Sequence, residues 1–451
     1  MDIIEHYSDE KENMDQDYKE YHAISMHSNG TTPYETLLVI FPSHLYTFLT
    51  VLLISLLVKN TRRYQFLIEF TVLVLPLILN MTVLANYLGD IVISLFIIIV
   101  AVSTTIIFNI KPLKVKPTHD QLRTNFITNG RGLISLMSVI AILGVDFQIF
   151  PRRFAKTETF GYSLMDTGVG LYVFSNGIVA PETKGQKDSI MKSIKSMARF
   201  IFVKQTDYNV PVSEYGVHWN FFITLAFTKL FASFIINFIN VKYIYINAIL
   251  IIISHEILLQ AGLQKFVLID TKRDGFFAAN KEGLISCPGY ISIYLFAVYF
   301  GYILDIKNKK HNRLNIIVKF VVATLFTLSA TVILQKYFNI SRRLANSTYC
   351  FWIAFISNLM LGLYYFSQIL QEILFNNSFP VSFSPIILES VNYNGLIFFL
   401  TANVVTGLIN MFINTLKVND TISLVIIVSY MFVNCTIATL LYHKGIKIKL
   451  K

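Results

Sequence analysis

The 451-residue chain is 54% hydrophobic and only 14% charged, with a mean hydropathy of +0.57; soluble domains carry about a quarter charged residues, so an ordinary soluble protein is excluded. Its apolar runs are continuous and do not alternate with period two, which excludes an outer-membrane barrel and leaves an all-α, polytopic membrane protein. The net charge of +11 sits in short loops between those runs, where a cytoplasmic positive bias accounts for it without nucleic acid.

Residues 1–33 form a polar tail rich in Asp, Glu, Tyr and His, unlike a cleavable signal peptide. Asn29-Gly30-Thr31 is an N-glycosylation acceptor triplet. Apolar runs of about 20 residues suffice to cross a bilayer. Such spans are expected at 36–58, 64–86 (interrupted by Pro76), 90–109, 133–150 and 162–180. Others follow at 217–238, 241–262, 284–304, 314–336, 349–370, 394–416 and 421–442. The segment 186–205 combines an apolar face with Lys187, Lys192, Lys195 and Arg199. It reads either as an interfacial helix or as a short span with snorkelling lysines.

Charge patterning favours counting it as a span. Lys59, Arg62 and Arg63, and then Lys111, Lys114, Lys116, Arg123 and Arg131, place two loops in the cytosol and the N-terminus in the lumen. The last residues, 444–451, form a basic cytosolic tail in which Lys447 and Lys449 match a Lys-x-Lys-x-x endoplasmic-reticulum retrieval signal. A lumenal start and a cytosolic end need an odd number of crossings, hence thirteen spans within 34–443. Two lumenal loops then break the charge rule, one with Arg152, Arg153 and Lys156 and one with Arg342 and Arg343. Something local must retain those bases. Further acceptor triplets begin at Asn339 and Asn346.

The chemistry is sought first at the corner between the fourth and fifth spans. Asp146 and Lys156 flank Pro151, which disfavours helix at 149–150 and can fold the chain back so that acid and base meet. Such a pair suits hydroxyl activation, and equally suits an ion pair pinning two spans. Arg152 and Arg153 fit a phosphate, or headgroup anchoring. Asp166 either completes a polar cluster or caps a helix, and the stretch from Glu214 through His218, Trp219 and Asn220 enters a span with an aromatic belt. His255-Glu256 reads as an internal pair, the charged loop 270–283 as solvated or as a polar mouth, and Asn394, Asn403 and Asn410 as helix glue or cavity lining. The cysteines Cys287, Cys350 and Cys435 are scattered, no HExxH pattern occurs, and neither a metal nor a bound cofactor is expected.

Several blocks in order, DFQIFPRRFAK at 146–156, SLMDTGVG at 163–170, FSNG at 174–177 (with Asn176), EYGVHWNFF at 214–222 and NGL at 394–396, closely resemble the GPI-anchored wall transfer protein family, the fungal counterparts of PIG-W. The resemblance implies a thirteen-span acyltransferase of the endoplasmic reticulum. Its reaction would move a fatty acyl group, palmitoyl, from acyl-CoA to the inositol 2-hydroxyl of glucosaminyl-phosphatidylinositol. It implies Asp146 and Lys156 as the catalytic pair, with the role of base open between them. A lipid flippase or transporter, and a non-catalytic subunit of a GPI-processing complex, are the alternatives from other classes.

Overall fold

The computed structural model describes residues 27–57, 64–109, 125–184, 212–269, 273–304, 313–375 and 384–447. The possible span at 186–205, the retrieval-like residues 448–451 and most of the N-terminal tail lie outside them. Ten helices among the described residues are long and apolar enough to cross a membrane. They are α1 (Pro33–Leu57), α3 (Leu88–Asn109), α4 (Asn125–Gly144), α7 (Phe221–Phe238), α8 (Val241–Leu268), α10 (Lys281–Leu304), α11 (Arg313–Gln335), α12 (Ser347–Leu374), α14 (Gly395–Phe412) and α15 (Asp420–His443). Shorter helices are α2 (Gln65–Asn80), α5 (Leu164–Gly177), α6 (Val212–Tyr215), α9 (Gly275–Ala279) and α13 (Ile386–Tyr393). The chain is an all-α multi-pass membrane protein.

Helix starts follow the side chains available. Ser163, Asn220, Asn346 and Asn419 cap α5, α7, α12 and α15 by accepting from a backbone N–H three residues on. Pro76 does not break α2, because a π turn over Phe70–Val74 widens the backbone just ahead of it. α13 starts where the buried carboxylate of Glu69 accepts from the N–H groups of Ile386 and Ile387, at 2.9 and 2.8 Å.

α4 lies at the centre, packed against α5, α12, α13, α14 and α15. Around it α5 packs on α10, α10 on α7 and α8, and α11 on α12. The outer faces of α3, α11 and α14 carry exposed Ile, Val, Leu and Phe side chains, which suit a hydrocarbon solvent. Arg131, placed in a basic loop by charge patterning, lies inside α4.

Residues 27–31 are part of the fold. Two short strands, β1 (His27–Ser28) and β2 (Lys156–Thr157), pair in parallel, and Thr31 bridges Tyr162. The Gly161 N–H donates to the Ile340 carbonyl at 3.1 Å. The corner at 146–162, the exposed Asn29 and the exposed Asn339 therefore share one end of the molecule. Asn346 is only 3% exposed, and its side chain caps α12 while donating to the Asn339 carbonyl. A glycan has no room there, so Asn346 is withdrawn as an acceptor.

Candidate active site

α4 stops at Gly144, six residues before the sequence-based boundary at 150. The N–H groups of Asp146 and Phe147 turn back to the carbonyls of Leu143 and Gly144, at 3.2 and 3.0 Å. Phe150 lies so close that a Cβ on Gly144 would stand 3.0 Å from its ring. Arg152 donates to the carbonyls of Val145 and Phe147, at 2.6 and 2.8 Å, taking acceptors that a longer helix would have used. Pro151 then redirects the chain through a short 3-10 turn, Arg152–Phe154, into β2.

The expected meeting of Asp146 and Lys156 does not occur. Lys156 Nζ donates to both carboxylate oxygens of Glu214, 58 residues away, at 2.6 and 2.7 Å. Glu214 is 5% exposed and sits on the one-turn helix α6. Asp146 is fully buried and accepts from the Asn410 amide of α14 at 2.8 Å. The reason is geometric: β2 is held against β1 and carries Lys156 away from the end of α4 toward α6. Gly216 fixes α6 in turn. Its φ of +112° and the Asn280 Cα, 2.5 Å from where a Cβ would lie, exclude any other residue without rearrangement.

A second ion pair closes a ring around this one. Arg342 Nε donates to Asp166 Oδ1 at 2.7 Å, with both side chains almost wholly buried. The other oxygen of Asp166 accepts from the N–H and hydroxyl of Thr157, next to Lys156, at 3.1 and 2.7 Å. Burial opposes the charge on Arg342, but Asp166 and then Glu214 outweigh it and raise its pKa. Burial likewise raises the pKa of Tyr215, beside Glu214. Of the five bases left unexplained by the sequence, Arg153, Lys156 and Arg342 pair with carboxylates and Arg152 donates to backbone carbonyls, while Arg343 lies 3.7 Å from Glu282.

An apolar cavity of about 670 Å³ runs from this cluster down the length of α4. Lys156 and Glu214 line it beside the corner, Arg131 and Ser175 toward the N-terminus of α4, and Tyr172, Trp219 and Asn220 also lie on its wall. The wall from Ile127 to Val145 covers about 27 Å at 1.5 Å per residue. Val404, Leu408 and Met411 of α14 line the cavity and are also exposed outside, so it opens on its lipid-facing flank. Rings of Phe221 and Phe399, with centroids 5.6 Å apart, face each other across the gap between α7 and α14. No cluster of metal-ligating side chains occurs among the described residues.

The family model GWT1 matches residues 18–441 of this sequence. The chain belongs to the GWT1 family. It is 35% identical over 357 residues to GPI-anchored wall transfer protein 1 of Yarrowia lipolytica, covering 72% of this chain and 74% of that one. With the Saccharomyces cerevisiae protein of the same name it shares 37% identity over 370 residues, 72% and 75% of the two chains. The mouse glucosaminyl-phosphatidylinositol-acyltransferase PIGW is 30% identical over 475 residues, 91% of this chain and 92% of the relative.

In this GWT1-family member the remaining residues singled out in the sequence divide by position. Trp219 and Asn220 are on the cavity wall, though Asn220 also caps α7 and the Trp219 indole donates to the Thr224 hydroxyl. The His218 side chain is exposed, with its backbone N–H on the Asn280 amide oxygen. Asn176 is half-buried in α5. The Asn394 amide donates to the Ile446 carbonyl at 2.9 Å, at the far end of the molecule. Arg153 binds Glu35 at 2.7 Å and Asn86 at 2.6 Å and stacks over Phe154, so its guanidinium, like that of Arg152, is engaged by the protein's own acceptors. His255 and Glu256 form no site: they contact the Leu344 carbonyl and the Ser347 N–H. Sequence reasoning passed over Glu214 and Arg342 as site residues. The signal for Arg342 was its unexplained charge in a loop; for Glu214 it was its place at the head of the 214–222 block, whose aromatic residues drew the reading toward a membrane belt.

Proposed function

We propose that this protein is an enzyme of the endoplasmic-reticulum membrane that transfers a fatty acyl group, palmitoyl, from acyl-CoA to the inositol 2-hydroxyl of glucosaminyl-phosphatidylinositol. The reading is supported by family membership, since the mouse relative carries that acyltransferase name and aligns over 91% of this chain. The observation that carries it here is the long apolar cavity ending at Lys156 and Glu214. A wall of about 27 Å is long enough for the extended arm of an acyl-CoA to lie along it, with the flank at Val404, Leu408 and Met411 open to its acyl chain.

The inositol oxygen attacks the thioester carbonyl carbon, the C–S bond breaks, and the thiolate leaves to be protonated. Lys156, already donating to Glu214, serves as the cation that stabilises the oxyanion formed on the carbonyl oxygen, and Glu214 orients it. Asp146, buried behind the cavity-lining Val145 with Oδ2 accepting from the Asn410 amide, is the carboxylate we assign to take the hydroxyl proton. The topology belongs to the same proposal. The segments 110–124 and 305–312 leave α3 and α10 at the end remote from the corner and carry dense lysine and arginine, which favours the cytosol there. The corner and the N-terminus are then lumenal and the C-terminus cytosolic.

Purified protein in lipid nanodiscs, given palmitoyl-CoA and glucosaminyl-phosphatidylinositol, is expected to release one free CoA thiol per acylated glycolipid. Movement of the glycolipid between leaflets without thiol release contradicts the reading and favours a flippase. Activity only in the presence of another subunit contradicts it in favour of a non-catalytic role.

A further inference from the structure

The cavity wall carries two cations and one carboxylate among the described residues: Lys156, Arg131 and Glu214. The carboxylate is bound to Lys156. Arg131, at the opposite end, has no ion-pair partner among the described residues, and Nη1 makes its one hydrogen bond there, to the Ser175 carbonyl at 3.1 Å. A guanidinium has five N–H donors, and a cation held in a membrane interior without a counter-ion is costly. Ser138 and Tyr172 line the wall with it, the Tyr172 hydroxyl itself being buried. An unpaired guanidinium on a cavity wall is complementary to phosphate oxygens, which it binds in paired fashion.

We propose that Arg131 binds the diphosphate of the acyl-CoA donor, an assignment that rests on the acyltransferase reading above. Arg131 and Val145 are 14 residues apart on or just beyond α4, about 21 Å at 1.5 Å per residue. An extended pantetheine arm bridges the diphosphate and thioester over that interval, so the donor enters from the Arg131 end and presents its carbonyl to Lys156. Its acyl chain leaves the axis through the lipid-facing flank at Val404, Leu408 and Met411. This arrangement lets a highly charged donor supply one side of the membrane while the hydroxyl reacts at the other.

The test compares wild type, Arg131→Gln and Arg131→Lys, each first shown to be monodisperse with an unchanged melting temperature. The donors are palmitoyl-CoA and the palmitoyl thioester of N-acetylcysteamine, which has no phosphate. Arg131→Gln is expected to raise KM for palmitoyl-CoA roughly 10- to 100-fold, the weight of a charge-assisted contact. The expected kcat, KM for the phosphate-free donor and KM for the glycolipid are unchanged, and Arg131→Lys recovers part of the loss. Equal rises for both donors, or no rise for either, overturn the proposal. A rise confined to glucosaminyl-phosphatidylinositol also overturns it, assigning the phosphate to the acceptor lipid. Absence of transfer by wild type from either donor rejects the acyltransferase reading instead.

Discussion

Asp166 and Arg342 lie 176 residues apart in sequence and 2.7 Å apart in space, with side chains about 5% exposed. Burying such a pair gains little net stability, but removing one partner leaves an uncompensated charge and costs about 3–5 kcal/mol. Asp166→Ala is therefore expected to lower the unfolding midpoint in detergent sharply. Asp166→Ala combined with Arg342→Met is expected to recover much of the loss, because no charge is then stranded. An Asp166→Ala protein that melts like wild type contradicts the pairing. At this scale the sequence was partly legible. It displayed Asp166, Arg342 and Lys156 as charges needing an explanation, but pairing across 58 or 176 residues has no local signature. Arg131 shows the opposite error: one base among several in a row looked like loop charge, and only the longer extent of α4 places it on a cavity wall.

Helices were legible where hydropathy alone decides and blurred where backbone chemistry does. α1, α3, α10, α11, α12 and α15 lie close to the expected spans, because a continuous apolar run can satisfy its backbone in lipid only as helix. The end of α4 was misplaced because Phe147, Ile149 and Phe150 are apolar, yet they pack into a turn whose carbonyls Arg152 takes. α13 was not anticipated, as it depends on Glu69, 317 residues earlier in the chain. Close contact between elements brings its own test. A Cβ on Gly289 of α10 would lie 2.1 Å from the Ala345 carbonyl oxygen, in the loop that carries Arg342. Backbone there cannot yield as a flexible side chain does, so Gly289→Ala is expected to cost about 1–3 kcal/mol or more by overpacking. Thermal unfolding followed by size-exclusion chromatography reads this directly, and a midpoint equal to wild type contradicts the packing described.

The whole molecule joins two environments. One end carries a ring of paired charges formed by β2, α5, α6 and the 342–346 loop, while the body encloses an apolar channel along α4. The sequence revealed the membrane class and singled out the corner at 146–161, because proline, acid and bases interrupt an apolar run. It did not reveal the cavity, which is assembled from six stretches of chain far apart in sequence. That cavity makes Lys156 a charge at the end of an apolar channel, with Asp146 buried just behind the wall. The most direct measurement is the acyl-transfer rate of purified, correctly folded Lys156→Ala and Asp146→Asn proteins at saturating substrates. The account predicts a fall of at least about 100-fold in kcat for each, since a positioned base or oxyanion donor contributes about 10²–10⁴-fold. A near-wild-type rate for Lys156→Ala contradicts it, and a near-wild-type rate for Asp146→Asn removes Asp146 as the base.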